Sequence, residues 1–145
     1  MSVCYWSIEG IGIPMSKVFP HLNNAKVIDF LANELPEDIN LNMWKNMDNP
    51  EEFDIDCYLY GMPFNNLAEM LTHCDNTDTL TFGETENDCF LYYRPSMPWD
   101  HVQNEPKSAN EVHRRIVKAV QALTDLSEEE IESLIVDDLF EVGCG

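Results

Sequence analysis

The side chains in this sequence with the greatest chemical potential are carboxylates in two dense runs, Glu51, Glu52, Asp54 and Asp56 in the first half and Glu128, Glu129, Glu132 and Asp137 near the C-terminus. Such runs can hold a divalent cation, share protons in hydrolysis, or present a negative rim to a basic surface. The first two uses demand more than the runs supply. Alternation places Asp54 and Asp56 on one strand face, where they could grip an ion, but no third ligand or nucleotide-binding feature accompanies them. The stretch from Asp75 to Asp78, with Glu84 and Glu86 beyond it, lacks the central glycine of a calcium loop. Zinc requires ligands converging at short characteristic spacings. Cys57, His73, Cys74 and Cys89 do not provide them, since His73 and Cys74 as neighbours on a helix point apart. Among 27 acidic residues, paired carboxylates are inevitable and say nothing about hydrolysis.

Nucleophilic and nucleotide chemistry find no footing either. His21, His101 and His113 are candidate bases and Asp100 adjoins His101, but no serine or cysteine lies in a nucleophile elbow. Gly10 and Gly12 lack a third glycine, and no Gly-Lys-Ser or Gly-Lys-Thr occurs, so no phosphate-cradling loop is present; the pair reads as a bulge or bend. No catalytic residue, metal site or cofactor is therefore assigned.

The third use of the runs, a negative rim, fits the whole chain. Its 145 residues carry 27 acids against 8 Lys and Arg, a formal net charge of -19, while 44% of the residues are hydrophobic. The charge falls in three zones: 16 acids and 3 bases in residues 1–93, 3 and 5 in residues 94–123, and 8 and none in residues 124–145. A field of this sign repels phosphate backbones and anionic lipid and attracts basic protein surfaces. Carboxylates on a compact domain can also imitate the phosphate row of a duplex, which carries one charge per about 1.7 Å of axis. The expected function is a small interaction or inhibitor domain that docks on a basic partner surface, including that of a nucleic-acid-binding protein, with no direct nucleic-acid binding. Arg114, Arg115 and Lys118, on roughly one helical side, are expected to pair with the protein's own carboxylates. A small enzyme or metal-dependent module with a loop-built site and a structural or assembly protein are the alternatives.

Residues 90–101, FLYYRPSMPWDH, place large amphipathic residues and one arginine among prolines, a composition seen at interface centres. Trp99 is the candidate anchor there. The bland alternative tucks Trp99 over the C-terminal helix as part of a crossover that covers the core.

The elements that must position these residues suggest one α+β domain over residues 1–145, a small mixed or antiparallel sheet with a C-terminal helical pair packed on it. Strand patterns cover Val3–Ile8, interrupted by Gly10 and Gly12, and Ile55–Leu59. The stretches 79–82 and 89–93, joined by a polar turn, read as a hairpin. A helix capped by Asn23 or Asn24 presents Val27, Phe30, Leu31 and Leu35; weak periodicity marks Leu41, Met43, Trp44 and Met47; Leu67, Met70, Leu71 and Cys74 recur at helical spacing. Capping boxes at Ser108/Glu111 and Ser127/Glu130 open two more helices, one bearing Val112, Ile116, Ala119, Val120 and Leu123, the other running near 128–139 with Leu134, Ile135 and Leu139 on its apolar side. No run approaches the ~20 apolar residues that a bilayer span requires, and the N-terminus lacks the basic region of a signal peptide, so a cytoplasmic location without membrane contact is expected. In a reducing compartment Cys4, Cys57, Cys74 and Cys89 are expected to be buried, with Cys144 at a frayed end.

Overall fold

A computed structural model describes residues 3–58, 63–73 and 79–145. Four antiparallel strands, β1 (Tyr5–Pro14), β2 (Thr81–Glu84), β3 (Cys89–Tyr93) and β4 (Val136–Cys144), form one sheet in the order β2-β3-β1-β4. Among the described residues six α-helices accompany it: α1 (Asn24–Glu34), α2 (Ile39–Lys45), α3 (Ile55–Tyr58), α4 (Pro63–His73), α5 (Ala109–Gln121) and α6 (Glu128–Leu134). The fold is α+β, with α4 and α5 packed against the sheet and α6 against α5. No helix among the described residues is long and apolar enough to cross a membrane.

Local chemistry explains most boundaries. Ser108 and Ser127 each accept the N–H three residues on, at 3.2 Å, and the Ser127 hydroxyl also donates to the Glu130 carboxylate. Asn23 and Asp38 cap α1 and α2 in the same way. From these starts, α5 buries Val112, Ile116, Val117 and Val120, and α1 buries Val27, Ile28, Leu31 and Ala32. They meet Ile13 and Leu91 from the sheet, Leu67 from α4 and Ile131 from α6 in the main core.

Three expected elements differ. The Ile55–Leu59 strand is instead the one-turn helix α3, whose Cys57 N–H donates to the Asp54 carboxylate at 3.0 Å, so Asp54 caps a helix rather than sharing a strand face with Asp56; Leu59 lies outside the described residues. The helix expected near 128–139 stops at Leu134, and residues 136–144 become β4. β2 occupies Thr81–Glu84 rather than 79–82, taking Gly83 and Glu84 out of the turn, whereas β1 runs on to Pro14 and the register shift between Gly10 and Gly12 is the bulge expected there. Gly10 carries φ 130, a conformation that L side chains rarely adopt.

The bulge governs the sheet's shape. Beyond it, the first half of β1 and the second half of β4 lie over the β2–β3 hairpin. The Trp6 indole N–H donates to the Glu84 carbonyl at 2.7 Å, and the Cys144 amide donates to the Glu86 carboxylate at 2.7 Å. Ile8, Phe90, Tyr92 and Leu139 fill the small second core enclosed beneath this ribbon. Cys144 is therefore held in a paired strand, opposite Tyr5, and is not at a frayed end. Of the cysteines expected to be buried, Cys89 is, whereas Cys4 and Cys57 are exposed; Cys74 lies outside the described residues. Burial, aided by Asp88 and Glu84, pushes the Cys89 thiol up to about 12, leaving it inert as a nucleophile.

Candidate partner-binding surface

The turn carrying the first acidic run and the segment just ahead of the second, about 75 positions apart in sequence, are fastened to consecutive residues at the start of α1. The Asn24 amide donates to the carbonyls of Pro50, Glu51 and Phe53 at 3.0–3.3 Å. Its neighbour Asn23 donates to the Asp125 carboxylate at 2.5 Å, while the Asn23 N–H bonds the Leu123 carbonyl and Leu22 bridges to Thr124. Asn23 and Lys26 together hold Asp125 below the usual carboxylate range. Lys26 completes the clasp, reaching Asp125 at 3.2 Å and the Thr124 carbonyl at 2.6 Å. One helix start thus anchors both the turn carrying Glu51 and Glu52 and the segment leading to Glu128.

Beyond the bonded Asp125, the described carboxylates of both runs are exposed. Glu51, Glu52 and Asp54 are exposed and line an open cleft of about 420 Å³ with Phe19, Leu22 and Phe53. Glu128, Glu129 and Glu132 are exposed on α6, and Asp137, at the start of β4, contacts the His113 imidazole of α5. Asp56 lies in α3, and its side chain is outside the described set. Arg115 bonds Glu111 at 3.1 Å, while Arg114 and Lys118 are exposed. Since 8 cations cannot neutralise 27 anions, at least 19 carboxylates (27 − 8) have no Lys or Arg of this chain to balance them. Among the described residues no group of three or more His, Cys, Asp or Glu is arranged to hold a metal ion.

Trp99 sits apart from these runs and is not tucked over the C-terminal helix: 74% of it is exposed. The loop beneath it is heavily braced. Asp100 accepts from Arg94 at 2.9 Å and from the Met97 N–H at 2.7 Å. Gln103 donates to the Met97 and Asp100 carbonyls, Asn104 N–H to Ser96, and Lys107 N–H to the Tyr93 hydroxyl. The Arg94 guanidinium and the Met97 amide hold the Asp100 carboxyl below its ordinary value. A large aromatic exposed on a backbone already fixed loses little entropy on binding, the condition for an anchor.

Sequence reasoning missed a second exposed apolar group. Tyr5 of β1 and Phe140 and Val142 of β4, which share a face, are 72%, 63% and 50% exposed. The alternation Leu139-Phe140-Glu141-Val142 was the available signal, obscured by assigning those residues' neighbours to a helix.

No protein-family model, curated protein sequence or solved structure matches this chain.

Proposed function

We propose that the protein is a binding domain that docks through its carboxylates on a basic protein surface, such as one that otherwise holds nucleic acid. The observation that carries this reading is the clasp at Asn23 and Asn24, which fastens the turn carrying Glu51 and Glu52 and the segment leading to Glu128 to one helix start while the described carboxylates of both runs are exposed. Charge of one sign gathered in this way raises encounter rate and selects for a complementary partner more than it adds affinity. Desolvated binding energy then has to come from an apolar anchor, and Trp99 supplies one.

The test is association kinetics against a partner recovered from the native host. Reversing Glu51, Glu52, Asp54 and Asp56 to Lys changes the net charge by +8, from -19 to -11, as does reversing Glu128, Glu129, Glu132 and Asp137. Each set is expected to slow association strongly at low salt, with the difference shrinking once the Debye length falls to about 3 Å near 1 M salt. Trp99→Ala is expected to raise the dissociation rate instead. Thermal melts of each variant separate lost binding from lost folding, since Asp54 also caps α3 and Asp137 contacts His113. Association rates unchanged in both charge sets would end this reading.

A further inference from the structure

The β4 edge is a strand-acceptor site, and we infer that it takes an extended segment of the partner in which apolar and basic residues alternate. The inference rests on the basic-partner reading and specifies the contact.

Three observations converge there. First, β4 is the outermost strand, and its register shows which groups are free to pair. Cys4 and Gly145 exchange both backbone hydrogen bonds, at 2.8 and 2.9 Å. In an antiparallel ladder such pairs recur every second residue, so Trp6 with Gly143 and Ile8 with Glu141 bond across the ladder, while Phe140, Val142 and Cys144 turn their N–H and C=O groups outward. The Cys144 amide confirms this parity: it leaves the ladder to meet the Glu86 carboxylate. Second, the side chains of Phe140 and Val142 are exposed along this edge, with Glu9 and Ser7 opposite them on β1. Third, the edge carries carboxylates. Glu141, between Phe140 and Val142, turns to the other face with Ile8, and a groove of about 420 Å³ between β4 and the β2–β3 turn, which Phe140 also lines, holds Asp88, Asp138 and Glu141 with Lys17 the one basic residue among its lining groups.

A strand added antiparallel to β4 reads all three. Residues directly opposite one another share a face, so those facing Phe140 and Val142 must be apolar, and the one between them, facing Glu141, must be basic. The same geometry fixes the hydrogen bonds: the apolar residues, opposite outward-pointing groups of β4, carry the amides that bond it. A second copy of this chain is a poorer occupant, because its own β4 brings Asp137, Asp138 and Glu141 to an edge that is already acidic.

The probe is a synthetic peptide alternating Val and Lys, nine residues long to match β4. Three companions are a block peptide of the same composition, a version N-methylated on every valine, and one N-methylated on every lysine. Binding to the intact protein is read by calorimetry at low and high salt. The alternating peptide is expected to bind, with about tenfold loss or more on methylating the valines and about twofold or less on methylating the lysines. Val142→Pro removes an amide that takes no part in the β1 ladder, so it is expected to leave the melting curve largely intact while weakening the peptide as much as valine methylation does. If both methylated peptides and the block peptide bind like the parent, the edge inference is overturned and the basic-partner reading stands on charge alone. If loss is confined to lysine methylation, antiparallel docking is overturned. If no lysine peptide binds at low salt, both readings fall.

Discussion

Replacing Gly10 with alanine tests whether the bulge shapes both the sheet and the loop that presents Trp99. A Cβ on Gly10 would fall 1.9 Å from the Tyr93 carbonyl oxygen, 3.0 Å from its carbon and 3.3 Å from the Arg94 Cα. All three atoms are backbone, so no side-chain rotation relieves the clash; β1 must move away from the end of β3. Two costs add. Holding a non-glycine residue at φ 130 costs about 1–3 kcal/mol. Forcing packed backbone apart costs about a further 1–3 kcal/mol, for a total of roughly 2–6 kcal/mol. With a urea m-value of about 2 kcal/mol/M, the unfolding midpoint should fall by about 1–3 M. Gly83→Ala is the internal control: its added Cβ meets only side chains, Tyr92 and Ile8, at 3.0–3.2 Å, and should cost about 1 kcal/mol. The displacement would also reach Arg94, so backbone resonances of residues 94–104 should shift in Gly10→Ala and stay in place in Gly83→Ala. A Gly10→Ala midpoint within about 0.3 M of wild type, or equal losses in the two variants, would refute the assignment of the bend to this bulge.

Other outcomes follow from the same structure. Ile116, fully buried in the main core, should lose about 2–5 kcal/mol as alanine in urea unfolding; a change under about 0.5 kcal/mol would show that α5 faces the other way. The Asp100 carboxyl is held low by Arg94 and by the Met97 amide, so its contribution to the loop is fully present above its unfolded value of about 3.9 and disappears as pH falls through the lower folded one. The Trp99 indole resonance should therefore shift at acid pH in wild type and lose that step in Asp100→Asn; an identical acid profile in the variant would refute the brace. With a net charge of -19, a mobility-shift assay with generic duplex DNA at moderate salt should show no complex, and micromolar binding would contradict the charge argument.

What was legible in the sequence was what local chemistry decides. The serine caps of α5 and α6 and the hairpin of β2 and β3 involve partners a few residues apart, and each forms where its signal placed it apart from a two-residue shift in β2. The acidic zones were likewise countable, but their meeting at Asn23 and Asn24 depends on pairings between residues 22–24 and both 50–53 and 123–125, which no window of sequence contains. The same limit hid the exposure of Trp99: the bond from Arg94 to Asp100 spans only six positions, yet nothing local shows whether the loop it closes lies against α5 or in water.

The C-terminal strand is where two local signals conflicted and a distant one decided. Ile131, Leu134, Ile135 and Leu139 recur at helical spacing, whereas Leu139, Phe140, Glu141 and Val142 alternate as in a strand. A helix continued to residue 139 would have placed Asp137 and Asp138 in its last turn, against the negative end of its dipole, and that penalty was visible in the sequence. Pairing with β1, more than 120 residues away, settles the contest: Leu139 enters the second core, Asp137 reaches His113, and Phe140 and Val142 are left on a face that nothing in the described chain covers. The residues most easily misassigned are thus those committed to a strand whose other side is still open. A segment whose helical and extended patterns nearly balance is held extended by its neighbour, and an added partner strand would bond it from the free side in the same conformation.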